Sequence, residues 1–157
     1  MDKKEQKIPS EIIAEYKNDI DLLIAYIPWL ETKSGNDVMS TYKGDSKVPI
    51  NFSIPIYDGT LMRFIKLIQT TKFMDKNYPY FYRRHNVKTS EDEIKAIKKA
   101  TINDIEVFRG IFSKYVIMGR SHGTVWQQGV ANGVFLALLI RLKEIIEYYD
   151  KTLLEKK

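Results

Sequence analysis

The stretch that most limits what this chain can become runs from Tyr115 to Tyr149, YVIMGRSHGTVWQQGVANGVFLALLIRLKEIIEYY. Within it, Val134 to Ile140 is apolar at every position, the longest such run in the sequence. A helix that is apolar all round has no face to leave in water, so neighbouring elements must enclose it. The segment is therefore expected to be the spine of the core, with Trp126 as an anchor and the glycines serving bends and close contacts. With 157 residues, 44% of them hydrophobic, the chain is long enough to build that core as one domain without cross-links. The expected extent is 1–157, with 1–8 and 150–157 as frayed tails.

The remaining elements are read from periodicity and punctuation. Ser10 is expected to cap a first helix, whose apolar face is Ile13, Tyr16, Ile20, Leu23, Ile24 and Ile27. Pro28 ends or kinks it near Tyr26-Ile27. Turn-rich TKSGND and KGDSK flank Val38–Tyr42 and precede Val48–Ile54, two short strands of a hairpin in which Pro55 weakens the second. Asp58-Gly59-Thr60 opens a helix carrying Leu61, Phe64, Ile65 and Ile68 at i, i+3, i+4 and i+7 and ending near Phe73. Tyr78-Pro79 is a turn leading into a short helix or extended segment.

Ser90 and Glu93 read as a capping box, with acids in the first turn and Lys98-Lys99 in the last. Thr101 and Asp104 cap the next helix, along which Ile105, Phe108, Phe112, Tyr115 and Val116 form a stripe; Tyr115–Met118 alone could also be a buried strand. Gly119 to Gly123 is a bend, after which Thr124 caps a helix through Trp126. Asn132-Gly133 is a left-handed stop that breaks this helix from the last one, which is expected to run to about Tyr149. The alternative is one continuous helix with a small-residue stripe of Gly129, Gly133 and Ala137. The fold class is mainly α: a single compact domain of about five or six helices with one irregular or β-hairpin insertion near 38–57.

Composition excludes several functions. Cysteine is absent, so disulfides, thiol catalysis and thiolate metal sites are out, in keeping with a reducing compartment. MDKKEQKIPS is charged and no secretory signal follows it. No segment reaches the roughly 18 apolar residues of a membrane span. The expectation is a cytoplasmic protein without a membrane partner. The two histidines show no H-E-x-x-H spacing, and neither G-x-x-x-x-G-K-[ST] nor G-x-G-x-x-G occurs, so no metal site and no cofactor is expected.

Two clusters remain. Tyr80, Tyr82, Arg83, Arg84, His85 and Lys88 interleave rings that can stack on bases with cations that can hold phosphates. From Lys72 to Lys99 there are eight Lys/Arg against four Asp/Glu, in a chain of net charge +5. The plainer interpretation is two or three core rings beside a solvated basic surface. Arg120, His122 and Trp126 gather at the 119–126 bend, where a helix N-terminus favours an anion and a ligand pocket could form. There Arg120 could pair with Asp104 or Asp58, and Trp126 could simply be a core anchor with its N–H bonded. Gly119-Arg120-Ser121-His122-Gly123 also fits G-x-S-x-G, the nucleophile elbow. The required order is Ser, acid, His, and the only histidine after Ser121 is its neighbour His122, so a triad cannot assemble.

The spacing Arg120-x5-Trp126-x6-Gly133-x7-Arg141-Leu142 resembles the C-terminal signature of a bacterial family known as domain of unknown function 6508. LLIAYIPWL at 22–30, Pro55-x-Tyr57 leading into Phe64-Ile65, Asn77-Tyr78 and the Ala100–Asp104 helix start extend the resemblance from about Leu22 to Leu142. No single motif is specific; order and spacing carry the match. The resemblance implies a compact, mainly helical bacterial or phage protein and no activity. The family pattern places an aromatic and a cysteine after Gly-Glu-Arg, where this chain has Ser121-His122 after Met118-Gly119-Arg120, so thiol chemistry is not carried over. The basic stretch 83–99 lies outside the signature.

The reading that follows is a non-catalytic interaction or regulatory module, with a protein partner or a second copy of itself in a homodimer. The alternatives are a nucleic-acid-binding protein using 78–99, and an enzyme with a small pocket at 119–126.

Overall fold

The computed structural model describes residues 8–44, 49–122 and 124–155. Residues 1–7, residues 45–48, Gly123 of the bend and the last two residues of the chain lie outside the described residues, and with them the end of the KGDSK turn and Val48, expected above to begin the second strand. In chain order the elements are α1 (Pro9–Ile24), α2 (Ile27–Glu31), β1 (Met39–Gly44), β2 (Pro49–Tyr57), α3 (Gly59–Thr70), α4 (Tyr78–Arg84) and α5 (Ser90–Lys99). A 3-10 turn (Ile102–Asp104), α6 (Ile105–Gly119), α7 (Val125–Ala131) and α8 (Val134–Glu155) complete them. The fold is compact and mainly α. Among the described residues there are eight α-helices where five or six were expected; α2, α4 and α7 are only five to seven residues long, too short to show a period.

α8 is the spine. It packs against α1, α2, α5 and α7, and α6 packs against α3, α4, α5 and α7. Where the two approach, the Tyr115 and Phe135 rings meet at 5.4 Å. Phe64, Phe73, Phe108, Phe112 and Phe135 are fully buried. Burying a side chain of this size is worth about 1.5–3 kcal/mol, so the aromatic layer is a main source of stability. Enclosure of the apolar run is incomplete. Val134, Phe135, Leu138 and Leu139 are buried, whereas Leu136 and Ala137 are half-buried and Ile140 is 39% exposed.

The break before α8 forms at Gly133, whose φ of +79° suits a residue without a Cβ. The Asn132 side chain replaces a missing helical partner by accepting from the Val134 N–H at 2.9 Å. Tyr115–Met118 is helical throughout. The last helix continues to Glu155, past the expected end at Tyr149, with Ile145 and Ile146 buried on the way.

Two caps differ from expectation. Pro9 opens α1 and Ser10 lies inside it; the N-cap is Ile8, which makes no side-chain cap bond. Proline is pre-set for the first helical position and has no N–H to leave unsatisfied there. At α5 the box is formed one residue earlier, by Thr89 and Asp92, instead of by Ser90 and Glu93.

The hairpin is antiparallel, with Met39 opposite Tyr57 and Thr41 opposite Pro55. A two-stranded ribbon makes β2 an edge strand, where proline is tolerated. Its base is closed by the Asp58 N–H donating to Val38 O at 2.7 Å. The Asp58 carboxylate in turn caps α3, accepting from the N–H groups of Thr60 and Leu61.

Candidate functional site

The one-residue shift of the α5 cap turns Glu93 inward. The residue is 1% exposed, between α4, α5 and α6. Tyr82 of α4 donates its hydroxyl to Oε2 at 2.5 Å, and Tyr115 of α6 donates to Oε1 at 2.7 Å. The Lys114 ammonium lies 3.5 Å from Oε2 and also 4.6 Å from the centre of the Tyr82 ring. The Tyr115 hydroxyl accepts from Asn132 Nδ2 at 2.9 Å, which ties this cluster to the residue that starts α8. A buried carboxylate is tolerated only when its lone pairs are met, and three donors meet them here. Burial, ahead of the Glu93 charge and hydrogen bond, pushes both phenols well above their ordinary 10.0.

Outside the cluster lies a shallow, open hollow of about 430 Å³ whose rim includes Lys88, Ser90, Gln128 and Asn132. The carboxylate faces it already bonded on both oxygens. Periodicity could not have found this group. Glu93 was read as a cap, and Tyr115 as one rung of an apolar stripe. The available signal was the overlap of two capping boxes in Thr89-Ser90-Glu91-Asp92-Glu93, which leaves one acid over for another task.

The 119–126 bend is organised differently. Trp126 is buried, with its indole N–H donating to Val116 O at 3.3 Å and its ring 5.0 Å from that of Tyr57. Gly119 makes room for it: a Cβ there would lie 2.0 Å from Trp126 Nε1. Arg120, Ser121 and His122 are exposed in the turn that follows α6. Arg120 borders a 250 Å³ hollow with Asp75 and Lys76. It does not pair with Asp104 or Asp58, whose carboxylates cap the 3-10 turn and α3. The His122 ring has no hydrogen bond or ion pair among the described residues. Arg120 and His122 thus sit on the surface while Trp126 points into the core. The segment before Ser121 is a helix, so the strand-to-helix elbow is not formed.

The α4 cluster is divided as well. Tyr80 is 63% exposed, with the Arg83 guanidinium 5.0 Å from its ring centre. Tyr82 is held by Glu93. Arg84 and His85 both reach Glu106, at 3.8 and 3.1 Å. The Lys88 side chain is at the surface, and its backbone N–H donates to Asp92. Among the described residues no group of three or more His, Cys, Asp or Glu could hold a metal ion, and no helix is long and apolar enough to cross a membrane.

The model of a family of unknown function, DUF6508, matches residues 15–148. The chain belongs to this family. The matched region takes in α5, α6 and the Glu93 cluster between them, the Gly119–Trp126 contact and the Gly133 break, together with most of α8. No curated protein and no solved structure matches the chain.

Proposed function

We propose that the protein is a non-catalytic interaction module. The observation that supports this reading is the saturation of Glu93: the one deeply buried carboxylate among the described residues is bonded by Tyr82, Tyr115 and Lys114, and so holds α4, α5 and α6 together. General acid–base chemistry needs a titratable group within reach of a substrate proton and a second group to complement it. The exposed His122 has no bonded partner among the described residues. What the surface offers instead is relief along α8.

The test is a thermal-shift screen of the full chain against nucleotides, sugar phosphates and amino acids at millimolar concentration. A ligand present at 100 times its dissociation constant stabilises by about 2.7 kcal/mol, or about 5–10 °C for a chain of this size. No such shift is expected. A shift of that size that disappears in Glu93→Gln or His122→Ala would overturn the proposal.

Nucleic-acid binding is the second reading, supported by the exposed Tyr80–Arg83 couple. Phosphate contacts would make affinity for a single-stranded oligonucleotide fall steeply with salt, and Arg83→Ala would flatten that slope. Binding that is absent at low salt, or unaffected by Arg83→Ala, would remove it.

A further inference from the structure

Two hollows of the described surface lie end to end along α8. One, of about 480 Å³, lies between α5 and α8 and is bordered by Ile94, Lys98, Gly133, Ala137 and Ile140. The other, of about 550 Å³, continues past the 3-10 turn to Tyr148 and Tyr149. Arg141 and Glu144 border both and form the saddle between them, Arg141 being held by Ala100 O at 2.8 Å and by Glu144 at 3.3 Å. The apolar spine surfaces here, at Ile140 and at Tyr148, which is 65% exposed.

The order of residues along this face gives it an internal symmetry. Gly133, Ala137, Ile140, Arg141, Glu144 and Tyr148 follow at spacings of three, four or one, and so share one side of the helix. The sequence of spacings is the same read forwards or backwards about a point between Ile140 and Arg141. A two-fold axis at that point would set an antiparallel second copy so that its Tyr148 meets Gly133, and its Glu144 meets Ala137. A third match seats Ile140 against Arg141, whose guanidinium is already held by Ala100 O and Glu144, and the first two are complementary. A side-chain atom built on Gly133 meets nothing within 4 Å, so the space that receives a tyrosine ring is open. Ala137 borders the same hollow as the exposed Lys98, so the incoming carboxylate finds an ammonium. Lys98 of each copy thus faces Glu144 of the other, twice.

We propose that this face of α8, with Lys98 of α5, is the contact of a symmetric antiparallel homodimer, in which each Lys98 pairs with Glu144 of the second copy. The proposal rests on the interaction-module reading and names its partner. Gly133 to Tyr148 covers about 22 Å of helix. Four turns offer less than a standard interface of roughly 1,600 Å², which is the size class of weak, transient contacts.

The test is sedimentation velocity of the full chain from about 1 to 500 µM. Wild type shifts from monomer to dimer across this range. Lys98→Glu places two acids opposite each other at both symmetric contacts, and Glu144→Lys places two bases there. Each variant alone weakens association about tenfold or more. Mixing the two variants restores both pairs in a heterodimer, and association returns to near the wild-type strength. A salt bridge within one chain cannot produce that rescue.

Ile140→Glu, at an exposed position, also abolishes the dimer, with the far-ultraviolet circular dichroism unchanged. A strict monomer at 500 µM, or a dimer that persists in the single variants without rescue on mixing, would overturn the proposal. Either result leaves the interaction-module reading standing, since that reading fails only on the small-molecule shift at Glu93 or His122.

Discussion

The Glu93 cluster and the 119–122 turn carry the same kinds of side chain to opposite fates. At Glu93, an acid, a base and two phenols are brought from three helices into the interior and bonded to one another. At the turn, Arg120, Ser121 and His122 follow one another along the chain and all face water. The contrast teaches that proximity in sequence is weak evidence of a site. Residues on one turn point outward together because the chain there is curving away from the core, whereas a buried polar group must recruit partners from elsewhere to survive.

The sharpest way to break this contrast is Glu93→Ala. It leaves two buried hydroxyls and an ammonium without their acceptor, a loss of about 3–5 kcal/mol. By calorimetry the melting temperature should fall by about 10 °C. A loss under 1 kcal/mol would mean that the carboxylate is not what joins α4, α5 and α6.

That result bears on how the sequence is read. The helix over 90–99, its acidic start and its basic end are legible in local pattern, because capping and dipole are local effects. Which acid caps and which turns inward is not. The choice between Asp92 and Glu93 is made by Tyr82 and Tyr115, which stand eleven residues before and twenty-two after Glu93. The Asn132-Gly133 break was legible for the same local reason, since a positive φ strongly prefers glycine. The extension of α8 past Tyr149 to Glu155 was not, because DKTLLE is too short to show a period and was expected to fray. At the bend, Trp126 was correctly foreseen as an anchor alternative. Arg120 and His122 face water at the same bend, while the indole alone is drawn into the core.

Gly119→Ala probes the packed side of the bend. Its Cβ would fall 2.0 Å from Trp126 Nε1 and 2.2 Å from Cδ1, and the ring would have to move off α6. Overpacking of this kind costs about 1–3 kcal/mol. Denaturant unfolding followed by Trp fluorescence measures both the loss and the displacement.

Tyr115→Phe sharpens the polar side. It removes the donor to Glu93 and the acceptor for Asn132 and should cost about 1–3 kcal/mol. The two phenols also set an alkaline limit. Their folded pKa values are raised, so they contribute fully below the unfolded value of 10.0, and the contribution is lost progressively as pH rises above it. In a spectrophotometric titration, two of the ten tyrosines should ionise only as the protein unfolds. In Tyr115→Phe that late step should involve one.

The smallest effect belongs to the surface turn. Arg120→Ala and His122→Ala should each change stability by less than about 0.5 kcal/mol. A larger change in either, measured by urea unfolding, would place a contact at this turn and narrow its difference from the Glu93 cluster.

Asp58 shows how the hairpin is aligned. One residue makes the last bond of the ribbon with its backbone and the first bonds of α3 with its carboxylate. Sliding one strand past the other by a single position would turn every side chain of that strand over, and here it would also unseat the start of a helix rooted in the core. The strands are thus indexed from their closed end.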